Sequence, residues 1–138
     1  MPERPIGRPH DTPEQAALRE GYTIVKTHSN GTVIARHGTT GYYIRKPYAL
    51  ESIPVITPLN EMGTAAIGNF EDSPAEAASR AGMRVVNEDP MGVGDPICDV
   101  VAVDDDGMLH LIEKTGNGPF AMFLGFDDDP AMAFWLEK

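Results

Sequence analysis

Cysteine is almost absent from this 138-residue chain. Cys98 stands alone, which excludes an internal disulfide and a cysteine-ligated metal cluster. It sits beside Asp99 with no basic neighbour in sequence to favour a thiolate, so a buried structural thiol is expected rather than a nucleophile. Long apolar runs are missing too. None approaches the roughly 20 residues needed to span a bilayer, and the N-terminal MPERPIGRPHDTP lacks the apolar core of a signal peptide. The expectation is a soluble, cytoplasmic protein of a reducing compartment, with no membrane attachment. Basic residues are scarce: Lys+Arg number 11 against 21 Asp+Glu, a formal net charge of −10. A balance of that size favours basic partners and disfavours general binding to nucleic acid or anionic membrane.

The charge is unevenly placed. Residues 1–50 hold seven Lys/Arg and four acids, for +3; residues 51–138 hold four and seventeen, for −13. Glycine (14) and proline (12) are plentiful, which implies many turns and short elements.

What is present reads as β-structure. From Ile97 to Leu136 four apolar runs of strand length (ICDVVAV, MLHLIEK, PFAMFLGF, AMAFWLEK) are separated by DDDG, TGNG and DDDP. Asp bonds its own following amides and Gly takes positive φ, so these are turn signals and 97–136 is expected to be a four-stranded antiparallel meander. Val100–Val103 and Phe120–Leu124 are apolar at successive positions, which predicts a sheet covered on both faces. Tyr22 to Lys46 has a Gly in each turn and predicts a three-stranded meander over 22–46. The two meanders do not resemble one another in sequence, and no tandem repeat is evident. Two short helices are expected, near 13–20 (Thr12 cap, Pro13 first, Gly21 stop) and near 74–81 (Asp72 or Ser73 cap, Pro74 first, Gly82 stop). Residues 1–12 are proline-rich and polar and suggest a flexible arm. The remainder, 13–138, is then a single α+β domain dominated by antiparallel strands.

Signals for chemistry are few. The Asp104–Asp106 run continues as Gly107-Met108-Leu109, which breaks an EF-hand spacing at once. Both Asp-rich turns should nevertheless fall at the same end of an up-and-down meander. The histidines (His10, His28, His37, His110) show no metal-ligand spacing, and neither a metal nor a cofactor is expected. GVGD at 92–95 lacks the later glycines of a dinucleotide fingerprint, and no Walker lysine or G-x-S-x-G occurs. His110 points opposite to Leu109 and Leu111 and could serve as a general base with Asp99 or Glu113. The stretch Tyr42, Tyr43, Arg45, Lys46 and Tyr48 could form a basic, aromatic patch for nucleic acid, against the charge of the rest.

Three functions compete. The leading one is a small acidic interaction or regulatory protein, inhibitor-like and not an enzyme. It would meet a basic protein surface with Asp104, Asp105, Asp106, Asp127, Asp128 and Asp129. The alternatives are a self-assembling structural subunit whose partners are other copies of itself, and a small-molecule-binding or catalytic β-fold using His110.

Overall fold

The computed structural model describes residues 3–88, 90 and 99–136. The fold is α+β, mostly antiparallel strand, in two five-stranded sheets with three short helices. By its contacts the chain divides into two compact units, Met1–Met62 and Gly63–Lys138, where length had suggested one domain over 13–138.

In the first unit the elements are β1 (Arg4–Pro5), α1 (Pro13–Arg19), β2 (Thr23–Thr27), β3 (Val33–His37), β4 (Thr40–Arg45) and β5 (Val55–Pro58). They form a sheet in the order β1-β5-β4-β3-β2. The α1 helix starts because the Gln15 amide donates to the Thr12 hydroxyl (3.1 Å) while the Thr12 amide donates to the Gln15 side chain (2.9 Å), a reciprocal cap. It stops at Gly21, where the Tyr22 amide reaches back to the Ala17 carbonyl at 2.9 Å. Ala16 and Ala17 are fully buried against Val33, Ala35, Ile44 and Ile56, their small side chains letting the helix lie close to the sheet. Residues 1–12, suggested as an arm on composition, supply β1 and the buried Ile6, whose amide donates to the Pro54 carbonyl at 2.9 Å.

The second unit has β6 (Thr64–Ala66), α2 (Pro74–Arg80), β7 (Arg84–Asn87), β8 (Val100–Val103), β9 (Met108–Thr115) and β10 (Gly118–Phe126), in the order β6-β10-β9-β8-β7. This is the topology of the first unit repeated. Ser73 and Glu76 form the same reciprocal cap (3.2 and 2.9 Å), and the Met83 amide bonds the Ala78 carbonyl at 2.9 Å. Both outer strands carry an irregularity at the same place, between Ile24 and Lys26 in β2 and between Val85 and Asn87 in β7. The Ile67 amide bonds the Pro119 carbonyl as the Ile6 amide bonds Pro54.

The chain therefore contains a tandem repeat, contrary to the expectation from its meanders. The matching residues flank the helices: Ile6-Gly7 and Ile67-Gly68, Asp11-Thr12-Pro13 and Asp72-Ser73-Pro74, Ala16-Ala17 and Ala77-Ala78, Arg19 and Arg80, Gly21 and Gly82. Comparing 22–46 with 97–136 sets unlike strands against each other, because the counterpart of β2 is β7, which precedes residue 97. The connection after β7 (88–99) is also longer than the one after β2 (28–32), which shifts everything downstream.

A second correction concerns the end of the 97–136 meander, which has three strands rather than four. The expected last strand is a 3₁₀ turn over Pro130–Met132 followed by α3 (Ala133–Leu136). Asp129 accepts a bond from the Ala131 amide (3.0 Å) and Pro130 takes the first position, so the DDDP turn is a helix start. The 3₁₀ turn and α3 cover the sheet face opposite α2. Val101, Val103, Leu109 and Leu111 pack there with Met132, Trp135 and Leu136, while Val100, Ala102 and Ile112 pack beneath Ala77 and Ala78. All four residues of β8 are buried as a result, as a doubly apolar run requires. Among the described residues no helix is long and apolar enough to cross a membrane.

Candidate interaction site

Asp104–Gly107 closes the β8–β9 hairpin. Asp104 folds inward: its carboxylate accepts from the Asp106 amide (2.9 Å) and the Met108 amide (3.0 Å), fixing the turn. Gly107 has φ +78°, and its carbonyl accepts from the Asp127 amide at 2.8 Å. That bond pins the second acidic turn to the first, so both lie at one end of the sheet, as strand order requires. A side chain at Gly107 is disfavoured by that positive φ; its Cβ would stand 2.8 Å from an Asp127 carboxylate oxygen, which the exposed Asp127 side chain would have to swing aside to relieve.

The six aspartates divide by role. Asp104 and Asp129 are half-buried and hold backbone amides, whereas Asp105, Asp106, Asp127 and Asp128 are exposed. Asp104, Asp105 and Asp127 line a cleft of about 320 Å³ together with Arg84. The second unit, 63–138, holds four Lys/Arg and fifteen Asp/Glu in sequence, against seven and six in 1–62.

His110 lies on the α2 face of β9, paired with Ala102 and Phe123 across the ladder. Strand alternation puts Asp99 and Glu113 on the opposite face, so the sheet separates them from His110. The carboxylate that meets His110 is Asp104, 3.4 Å from Nε2. Burial pushes the Asp99 carboxyl above its ordinary value.

The basic, aromatic stretch is split in the same way. Tyr42 faces the α1 core and meets Tyr22 edge-on at 5.2 Å, while Tyr43 points to the other face. The Arg45 guanidinium stacks over the Tyr48 ring at 3.7 Å and pairs with Glu51 at 2.9 Å and Glu3 at 3.6 Å. Those bonds from Arg45, with the Tyr48 amide, hold Glu51 below the usual carboxylate range. The Lys46 side chain lies over Gly31.

Sequence reasoning missed the strongest ion pairs. Arg19 grips Asp11 with two bonds of 2.8 Å, and Arg80 grips Asp72 with bonds of 2.8 and 2.9 Å. In each case the carboxylate also accepts the amide of the residue three before it, Arg8 or Asn69 (2.9 and 2.8 Å). The Arg bonds first, then the amides, hold both carboxyls at about 2. Gly7 and Gly68 complete the latch: at φ +78° and +66°, a Cβ on either would stand 2.9 Å from the Cα of Ala16 or Ala77. The signal was in the sequence as D-[TS]-P with Arg eight residues after the Asp, present twice.

Cys98 and the glycines of 92–95 lie outside the described residues. Among the described residues, no three His, Cys, Asp or Glu side chains gather as metal ligands, and no buried side-chain polar atom lacks a hydrogen-bond partner. No protein-family model, curated protein or solved structure matches the chain.

Proposed function

We propose that the chain is a small acidic interaction protein, inhibitor-like, docking on a basic surface of a partner protein in the reducing setting of the cytoplasm. The observation that carries this reading is the bond from the Asp127 amide to the Gly107 carbonyl. It fixes two acidic turns side by side, with Asp105, Asp106, Asp127 and Asp128 turned to water. Carboxylates concentrated on an ordered rim steer a basic partner and set its register; they do so by complementarity, with no bond made or broken. The excess of acids in 63–138 extends the attraction beyond the rim itself.

The test is capture from native lysate with the full chain as bait, beside the quadruple variant Asp105→Asn, Asp106→Asn, Asp127→Asn and Asp128→Asn. A partner held by the rim is lost with the variant and released from the native bait by raised salt, with circular dichroism unchanged. Capture that survives both the variant and the salt removes the rim from the account.

A further inference from the structure

The two units share one plan, and the first shows that the plan folds without a roof segment. After β5 its chain makes one 3₁₀ turn, Leu59–Glu61, and runs on into the second unit at Gly63. After β10 the second unit also makes a 3₁₀ turn, Pro130–Met132, and then adds α3. Among the described residues nothing in the first unit corresponds to α3.

The added segment covers its face without being covered itself. Beneath it Val101, Val103, Leu109 and Leu111 are at most 5% exposed, yet no residue of 130–136 is buried and Phe134 is 58% exposed. Met132, Trp135 and Leu136 keep the face dry with side chains that are themselves half in water. A helix of four residues is far below the length that is stable by itself, so α3 is helical only while docked. Three half-covered side chains must therefore offset the conformational entropy lost in fixing seven residues.

The closed position is a fitted one. Gly125 leaves the space that Met132 fills: a Cβ there would stand 2.7 Å from the sulfur. The bonds at the two ends are ones that water can replace. At the hinge the Asp129 carboxylate accepts from the Ala131 amide (3.0 Å) and the Asp129 carbonyl from the Met132 amide (2.9 Å). Near the far end the Asn87 side-chain amide donates to the Trp135 carbonyl at 3.0 Å. Asn87 is only 3% exposed, and opening hands both groups to water as the new partner.

We propose that residues 130–136 act as a strap, hinged at Asp129-Pro130, that opens from the second unit as one piece while the sheet beneath stays folded. Closed, it keeps Val101, Val103, Leu109 and Leu111 from water; open, it lays that apolar surface bare. It opens whole because α3 is a single turn. Releasing Trp135 and Leu136 removes most of the contact and the Asn87 bond together, which leaves little to hold Met132 in its seat. The strap begins where the acidic rim ends, but its opening does not depend on what docks there.

Native-state hydrogen exchange on the full chain, followed residue by residue in low urea, tests this. The amides from Ala131 to Leu136 should share one opening, at least about tenfold more frequent than that of Leu109 and Leu111. Its urea slope should be shallower than theirs but not zero, because the slope reports the surface uncovered. Asp129→Ala, which removes the hinge cap, should speed all of these amides together by about fivefold. Leu136→Ala, which weakens the docked end and leaves the hinge alone, should also speed them as a group, and it carries the test if the first variant does not fold. Exchange at the rate and slope of Leu109 and Leu111 overturns the proposal, since the segment would then open only with the sheet. Rates that rise step by step toward Leu136 without urea dependence overturn it as well, by showing a fraying end. So does either variant speeding only the amides nearest to it.

Discussion

Asp11 and Arg19 in the first unit, and Asp72 and Arg80 in the second, make the same two-pronged pair with lengths that agree within 0.1 Å. The caps, the helix stops and the outer-strand irregularities agree as well. The units part company on the sheet face away from the helix. In the first that face carries Lys26, Arg36, Tyr43, Arg45 and Thr57 among its apolar residues. In the second it carries Val101, Val103, Leu109 and Leu111 and is roofed by Met132, Trp135 and Leu136. A scaffold held by a local latch leaves its far face free to change, because the latch and helix core lie on the near side.

The comparison is sharpest at the latch glycines. Gly7→Ala and Gly68→Ala each add a Cβ at positive φ, costing ~1–2 kcal/mol, and push it into helix backbone, for a further ~1–3 kcal/mol. The two losses should match in urea denaturation; one tolerated substitution would break the equivalence of the units. Next comes the roof. Trp135→Ala uncovers fully buried Val101 and Leu109 and should cost about 2 kcal/mol. Hydrogen exchange should speed in β8 and β9; unchanged protection there would mean that α3 does not close the second face. Smaller again are the caps: Thr12→Ala and Ser73→Ala should each cost about 1 kcal/mol, again equally, in the same denaturation assay.

Acid separates the latches from everything else. Asp11 and Asp72 titrate at about 2 when folded, below their ordinary 3.8, so protonation favours the unfolded chain. Their stabilisation is complete above the ordinary value and drains away as pH falls from about 4 to about 2. Asp11→Asn and Asp72→Asn should each flatten stability against pH in that window, relative to the native chain. A slope unchanged by either variant would mean that the pairs contribute nothing. Smallest is Leu50→Asp, which should leave stability within about 0.5 kcal/mol, because the side chain touches nothing the fold needs.

Much of this was legible along the chain. Thr12-Pro13 and Ser73-Pro74 announced both helices because capping is settled within four residues. The DDDG turn announced itself for the same reason, since Asp and Gly close hairpins locally, and the common end of the two acidic turns followed from counting strands; that DDDP starts a helix did not. The repeat was not legible in the meanders, because sheet positions share only polarity between copies while the latch residues share identity. AMAFWLEK was expected to be the fourth strand on its apolar content, and the Asp129 cap with Pro130 overrules that by starting a helix. For His110 a carboxylate on a neighbouring strand was expected, Asp99 or Glu113; the hairpin register instead places Asp104 beside it and sends the other two to the opposite face of the sheet.

Sequence alone determined where α1 and α2 start, where the DDDG hairpin turns and which half carries the negative charge, since each depends on a few adjacent residues or on composition. Tertiary structure decided which aspartates hold amides and which face water, which face of each sheet is roofed, and that Arg19 and Arg80 reach back to their carboxylates. Those outcomes depend on register and on packing between segments distant along the chain. A shift of one residue in a strand would reverse every face assignment while leaving the local signals intact.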